Sequence, residues 1–490
     1  MTMMIQVRRP KAELLSPAFI TKIVDEAYQL LETNGIFVEN REALDLLAAS
    51  GMRIEQDSQK AHLTRRLVEE SLATTPSTIK LYDRSGRDEY LVGGDDIHFD
   101  PGSAAISVLD RENRSERRAV TGDLVRFYTL VETLENIDFQ STGIVSADVP
   151  HAVADAYRLF LGLLHSAKPF VTGLFRTQSF QPMLEMLVAI RGSAEELARK
   201  PLAIFDACPS PPLKWSNLTA QSLIDSARAG IPSELISMGL TGATSPVTLA
   251  GTLVQHVAEN LCGLVICQLA KPGAPVIFGG SPASFDMRKG TTPMGAMETM
   301  MIDMAYAQIA KGLGLPTHAY MGLSDSKLVD AQAGLETGIG AVLAALAGIN
   351  VISGVGMLDF ETTQSLEKLV VDDEICGMAK RLVRGVEQRE EILAVDKFEG
   401  LADGGQFLSM PHTRQWYRKE HSFPRIIDRD VYDAWAAMGR TSMDERAGRE
   451  VERRIEQHVP GPPEPGAAAE LKRIMLDYAR VSGLDELPKA

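Results

Sequence analysis

The stretch PVIFGGSPASFDMRKGTTPMGAMETMMIDMAYAQIAKGLGLPTHAYMG, residues 275–322, decides the fold. It opens on a short apolar run ending in two glycines (275–280), crosses a polar loop, takes up helical periodicity over residues 295–314, and closes on a second short run (317–322). Short apolar runs bounded by Gly and Pro read as buried strands, and a helix-length segment between two of them reads as the crossover that joins parallel strands. Outward from this unit the alternation recurs at 104–110, 137–143, 169–174, 202–207, 235–240 and 350–354, eight runs in all. Eight strands separated by helical segments suit an α/β chain of the (β/α)8 TIM-barrel type better than an open doubly wound sheet. Gly143, Gly173, Gly239, Gly279, Gly280, Gly322 and Gly354 recur at one end of the runs, where they would let the backbone approach a ligand at a single rim.

Three units follow along the chain. Residues 1–95 read as an N-terminal helical cap, because Phe19, Ile23, Ala27, Leu30 and Leu31 keep helical spacing and Ala43, Leu44, Leu47 and Ala48 repeat it. Residues 96–400 read as the catalytic barrel. Residues 401–490 read as a C-terminal helical extension, with a Pro/Gly linker at 460–466 before a last helix at 467–482.

Composition narrows the function. The 490 residues are 45% hydrophobic and 23% charged, with a formal charge of −15, so the chain is globular and its field repels nucleic acid. No run of 18 apolar residues and no signal-peptide pattern is present, which makes a cytoplasmic protein without a membrane span the expectation. Four cysteines form no CxxC pair and nine histidines lack ligand spacing, so no metal site is expected. Motifs for P-loop, Rossmann, zinc-protease and α/β-hydrolase chemistry are missing.

Two polar constellations follow the sixth and seventh runs. The first is FGGSPASFDMRKGTTPMGAMET, where Asp286 and Arg288 either pair locally or leave Arg288 free for a substrate carboxylate. The second is THAYMGLSDSKLVDAQAGLE, which holds His318, Tyr320, Gly322, Asp325, Asp330, Gln332 and Glu336. His318 and Tyr320 are two apart on a strand and face the same way. Asp330 precedes a helical run, so capping competes with any other role. Phe99, Phe205, Trp215, Phe278, Tyr320 and Phe360 lie near strand ends, where ring faces could cage a cation, although each alone could equally be core.

These segments, with HFDPGSAAISVLD (98–110), RRAVTGDL (117–124), GLTGATSPVTLAG (239–251) and PHTRQWYRKEHSFPRIIDR (411–429), carry a family likeness. Over about residues 51–429 the chain resembles the trimethylamine methyltransferase superfamily, in its branch without pyrrolysine, to which glycine betaine:corrinoid methyltransferases belong. The resemblance implies a (β/α)8 barrel that moves a methyl group from an amine to the cobalt of a corrinoid (methylcobalamin once methylated) carried by a cognate partner protein, with no cofactor tightly bound to this chain. Homo-oligomerisation is implied too.

Trimethylamine enzymes of the superfamily carry pyrrolysine near the segment occupied here by residues 320–326, whereas this chain has only standard residues. A quaternary amine removes the need for such a group, since its nitrogen is already fully alkylated and leaves as a neutral amine. The expected substrate is therefore glycine betaine, with dimethylglycine as product; carnitine, proline betaine and choline are alternatives, and a non-catalytic quaternary-ammonium binding protein is the reading from another class. On this basis Tyr320, His318 and Asp325 are candidates at the reacting centre. Phe205, Phe278 and Tyr320 are candidate cage rings, with Gly322 beside them, and His318 and Arg288 are candidate partners of the substrate carboxylate. Asp330, Gln332 and Glu336, together with Asp325, would organise the loop.

Overall fold

The computed structural model describes residues 8–399, 401 and 405–488. The expected boundary between barrel and extension at residue 400 lies outside the described residues, as do residues 1–7 of the expected cap.

The fold is α/β. Eight short strands run β1 (His98–Phe99), β2 (Gln140–Ser141), β3 (Phe170–Gly173), β4 (Ala203–Ala207), β5 (Ser233–Ser237), β6 (Val276–Gly280), β7 (His318–Tyr320) and β8 (Val351–Ser353). Every ladder between them is parallel. The ladders form one five-stranded sheet, β6-β5-β4-β3-β2, and one three-stranded sheet, β7-β8-β1, not a single closed sheet. At one seam Phe278 and Thr317 form an isolated parallel bridge; at the other the N–H groups of Asp138 and Phe139 both donate to the Phe99 carbonyl.

Six of the eight expected runs contain one of these strands, and the run 235–240 overlaps only the last three residues of β5. The first does not: the ring strand is 98–99, and Ser107–Asp110 instead pairs antiparallel with Ser115–Arg118 and parallel with Thr363–Gln364. HFDPG is too short and too polar to stand out beside the longer apolar run that follows it.

The cap is not purely helical. Helices Pro17–Thr33, Arg41–Ala49 and Arg65–Thr74 are joined by short strands, and a hairpin, Thr78–Tyr82 with Glu89–Gly93, ends the region. Ile79, Leu81 and Val92 of the hairpin pack with Phe139, Val171, Ile204, Ile277 and Val351 in a separate apolar cluster. Those partners sit at the N-terminal ends of the parallel strands, so the hairpin, a plug, covers that end and leaves the C-terminal ends for a site. The buried helix Leu249–Ala270 lies between the ring and the cap helices Pro17–Thr33 and Arg65–Thr74. It is long and apolar enough to cross a membrane by length and composition alone, yet 83% of its apolar window is covered by protein.

In the extension, Met443–Gln457 packs on Leu366–Val383 and Thr121–Glu132, and Pro465–Val481 packs on Phe180–Arg191 and Ala154–His165. Two of its amphipathic helices thus cover the outer helical layer.

Asn350 staples the plug to the strands. Its side chain donates to the carbonyls of Gly93 (3.0 Å) and Asp96 (2.7 Å) and accepts from the Thr317 N–H (2.9 Å). Removing it strands several buried backbone groups, each costing on the order of 1–3 kcal/mol. Asn350→Ala should therefore lower the unfolding free energy by about 3 kcal/mol in a denaturant titration; a loss below about 1 kcal/mol would show that the plug does not depend on this side chain.

Candidate functional site

Strand parity places the polar interior. Ile204 lies in the lower apolar cluster, so Asp206, two residues on, faces the same way. Leu235 packs outward into the main core while Ile236 packs in the upper inner cluster with Tyr320, which turns Glu234 inward as well. His318 and Tyr320 share the inner face of β7, and Ala319 between them points out. Asp100 follows β1 and Ser353 ends β8.

These groups form a desolvated acidic cluster. Ser353 Oγ donates to Asp100 Oδ2 (2.6 Å) and lies 2.9 Å from His318 Nε2. An ionised Asp100 only accepts, so Ser353 must spend its proton there and accept from His318, which assigns the Nε2–H tautomer and leaves Nδ1 with a lone pair. Burial pushes His318 down to about 3, so the ring is neutral. Burial also raises Asp100 to about 6 against the bonds from Ser353 and the Gly102 N–H. Desolvation raises both Asp206, to about 7, and Glu234; the charge of Asp206 and then of Asp100 lifts Glu234 further, whereas at Asp206 the Asp100 charge adds to the rise and the Ser103 hydroxyl and Arg158 oppose it. Asp206 Oδ1 and both Glu234 oxygens meet no hydrogen-bond donor. Glu361 completes the group: desolvation lifts it to about 8, and its one bond is from Ser281 Oγ at 3.3 Å.

Tyr320 borders this cluster. Its ring meets His318 edge-on at 5.1 Å, and its hydroxyl lies 3.3 Å from both the N–H and the carbonyl of Ser103. Ser103 Oγ in turn donates to Asp206 Oδ2 at 3.3 Å. Arg158, buried behind the strand ends with Nε unpartnered, is a cation within electrostatic reach of Asp206.

Outside the ring a cleft of about 670 Å³ opens among Thr241, Phe285, Arg288, Glu298, Lys327 and Phe360, with Asp325, Gln332 and Glu336 on its wall. Asp325 accepts from the N–H groups of Met294 and Gly295, both at 2.9 Å, and burial raises it to about 6. Glu336 accepts from Ser324 Oγ (2.6 Å), the Asp325 N–H (2.8 Å) and Gln332 Nε2 (3.0 Å). Asp330 caps the helix Ala331–Ala347 and accepts from Ser326 Oγ. These four side chains brace the loop after β7, and Asp325 is thereby a loop brace, not a group at the inner cluster.

Four expectations are corrected by this geometry. Phe205 and Phe278 occupy outward positions of their strands and pack against helical-layer rings, Phe205 edge-on against Phe180 and Phe278 at a tilt against His256 and Tyr306, so neither can cage an inner ligand. Arg288 pairs with Asp286 at 2.8 Å, and its side chain is 87% exposed, which leaves it at the cleft mouth. At Gly322 the close approach is to the protein's own chain: an added Cβ would meet the Ser353 carbonyl at 3.1 Å. Among the described residues no three His, Cys, Asp or Glu side chains are arranged to hold a metal ion.

The description trimethylamine methyltransferase (MTTB) matches residues 1–479. The chain belongs to this family. The trimethylamine methyltransferase MttB of Desulfitobacterium hafniense (strain DSM 10664 / DCB-2) is 32% identical over 447 residues, covering 91% of this chain and 90% of that protein. The glycine betaine methyltransferase of Desulfitobacterium hafniense (strain Y51) is 30% identical over 476 residues, covering 97% and 98%. The monomethylamine methyltransferase (MtmB) of Methanosarcina barkeri superposes with a TM-score of 0.49 at 12% identity, covering 90% of this chain and 92% of that one.

For this member of the trimethylamine methyltransferase family, reading by motif missed Asp100, Asp206, Glu234 and Glu361. A signal was present: IFDAC and SELIS each set one acid inside an otherwise buried strand run, where only function or a partner excuses the cost.

The cluster makes stability depend on pH. Folded-state values above the unfolded values mean the folded chain holds extra protons; that stability is full below about pH 4, the unfolded value, and is lost as pH rises through about 6 to 8. Asp206→Asn removes one such carboxyl, so its stability relative to the unmodified chain should rise between pH 5 and pH 8 by about 1 kcal/mol or more. A pH-independent difference in paired denaturation curves would show that Asp206 is not desolvated.

Proposed function

We propose that this methyltransferase takes a methyl group from a quaternary amine, glycine betaine foremost, and delivers it to the cobalt(I) of a corrinoid held by a separate partner protein, leaving dimethylglycine. The observation that carries the substrate class is the inner acidic cluster, in which Asp206 Oδ1 and both Glu234 oxygens lack donors. A quaternary ammonium has no N–H to offer; it is held by diffuse negative potential and by ring faces, which Asp206, Glu234 and Tyr320 supply. A small hard cation would need a convergent oxygen cage instead.

Excess negative charge would hold the ground state too well, because the substrate's positive charge disappears as the amine departs. Desolvation tempers this, because the upward shifts of Asp206 and Glu234 favour the neutral form of each acid and reduce the pair's negative charge. Arg158 supplies the counter-cation for the substrate carboxylate, the role that Arg288 is too exposed to fill. The chain's own task is orientation and exclusion of water around a reacting methyl group.

The corrinoid, when its carrier docks, supplies the nucleophile and accepts the methyl. No metal-holding triad among the described residues is required of this chain for that, since the cobalt comes with its own macrocycle. The cleft beside the strand ends offers the approach. The same reading treats the eight strands as a (β/α)8 barrel, supported by the main-chain hydrogen bonds at both seams, and takes the protein as a cytoplasmic homo-oligomer.

Single-turnover mixing with a cobalt(I) corrinoid protein tests the reading. Glycine betaine should convert the visible spectrum to that of the methylated corrinoid faster than carnitine, proline betaine or choline; conversion with none of the four, despite binding, would favour the non-catalytic alternative. Tyr320→Ala should raise the glycine betaine dissociation constant about tenfold by calorimetry. Arg158→Gln should weaken glycine betaine more than choline, whereas Arg288→Ala should leave that ratio unchanged; equal losses in Arg158→Gln would remove Arg158 from the carboxylate.

A further inference from the structure

One segment at the cleft is strained in a way that none of the roles above uses. Met357–Leu358 pairs antiparallel with Thr363–Gln364, and the connection between them carries Asp359, Phe360 and Glu361 at φ of 50°, 57° and 70°. Among the described residues this is the only run of consecutive non-glycine residues in the left-handed region. A single such residue is common enough for Asp, but Phe and Glu there are held only when their surroundings over-determine them.

The surroundings are specific. The Asp359 N–H donates to the Ser326 carbonyl at 3.0 Å, and Glu361 accepts from Ser281 Oγ at the end of β6. Phe360 between them lines the cleft. The tip therefore presents a ring to the cleft on one residue and a carboxyl to the inner acidic cluster on the next. Over that ring sits Lys327, with Nζ 4.0 Å from the centroid, the shortest of the cation–ring contacts among the described residues. The same ammonium donates to the Asp325 carbonyl at 2.7 Å and pairs with Asp359 Oδ1 at 3.0 Å. Its side chain is nevertheless 59% exposed, so water can take over its charge when it leaves the ring.

We propose that Phe360 is the outer recognition ring for a methylated ammonium group and that Lys327 is a resident cation which the substrate displaces from it. The inference rests on the quaternary-amine reading above and names the place where that cation is first met. The physical basis is competition for one ring face. A lysine ammonium is compact and strongly hydrated, so it gains little from the ring; a trimethylammonium group is weakly hydrated and gains more. The exchange therefore selects methylated over unmethylated amines before the ligand reaches Asp206 and Glu234. Meanwhile Lys327 holds the strained 359–361 tip in place by its pair with Asp359.

Calorimetry with tetramethylammonium and with glycine betaine on the full chain tests this. Lys327→Met should tighten both ligands about threefold to tenfold, because the ring no longer has an occupant to displace. Phe360→Leu should weaken both by a similar factor, and in the double variant the gain from Lys327→Met should vanish. A second readout is independent of affinity: in a 13C-lysine spectrum of the unmodified chain, with Lys327 assigned by its loss in Lys327→Met, its ε-methylene signal should be shifted upfield by the ring and should lose that shift on saturation with tetramethylammonium. A Lys327 signal that does not move while the ligand binds, or unchanged affinity in both single variants, would overturn the displacement and leave the quaternary-amine reading standing. Absence of any quaternary-amine binding by the unmodified chain would overturn both.

Discussion

Everything at the C-terminal ends of the strands depends on the cost of carboxyl groups out of water. Asp100, Asp206, Glu234 and Glu361 converge where the fold offers few donors, and burial drives each of them toward its neutral form. A protein selected for stability alone would fill such a space with apolar side chains. The cluster is therefore best understood as potential held in reserve for a cation, with the neutral His318 and the Ser353 hydroxyl fixing one edge and Tyr320 another.

The rest of the chain keeps that arrangement rigid. The hairpin plug closes the opposite mouth, so the strand ends cannot splay. Behind the cleft, Asp325 and Glu336 tie the loop after β7 to the backbone of residues 294–295 and 325. Lys368 and Asp372, both fully buried, join Leu366–Val383 to Thr337 of the neighbouring helix, and Asp372 also receives the Gly356 N–H at 2.7 Å at the base of the strained tip. A broken pair there would leave an uncompensated buried charge, which makes it a strong local constraint even if its net contribution to stability is small.

Much of this was legible in the sequence because strand–helix alternation has a clear period. Residues 275–322 alone show a strand, a crossover helix and a second strand; six of the eight expected runs contain one of the eight parallel strands, and a seventh overlaps one in part. What failed did so for local reasons. HFDPG hid β1 because two residues of strand give no period to detect, and the plug hairpin was absorbed into a helical cap whose helical signal was stronger. Phe205 and Phe278 lie near strand ends, but parity decides the face, and one residue's shift separates the inner face from the helical layer. Arg288 was visible as a cation, but its neighbour Asp286 was the closer partner. The acids on β4 and β5 match no motif, although a charge inside an apolar run is itself the anomaly.

The measurement that bears most directly on the cluster is the number of protons released when glycine betaine binds near pH 7, obtained by calorimetry in buffers of different ionisation enthalpy. Glycine betaine has no group that titrates there, so any release belongs to the protein. Carboxyls raised to between about 6 and 8 should give up a fraction of a proton or more as the cation arrives, with affinity strengthening as pH increases through that range and the release falling in Asp206→Asn. Tight binding with no proton release and no pH dependence would contradict the account, since it would place the cation away from the buried acids.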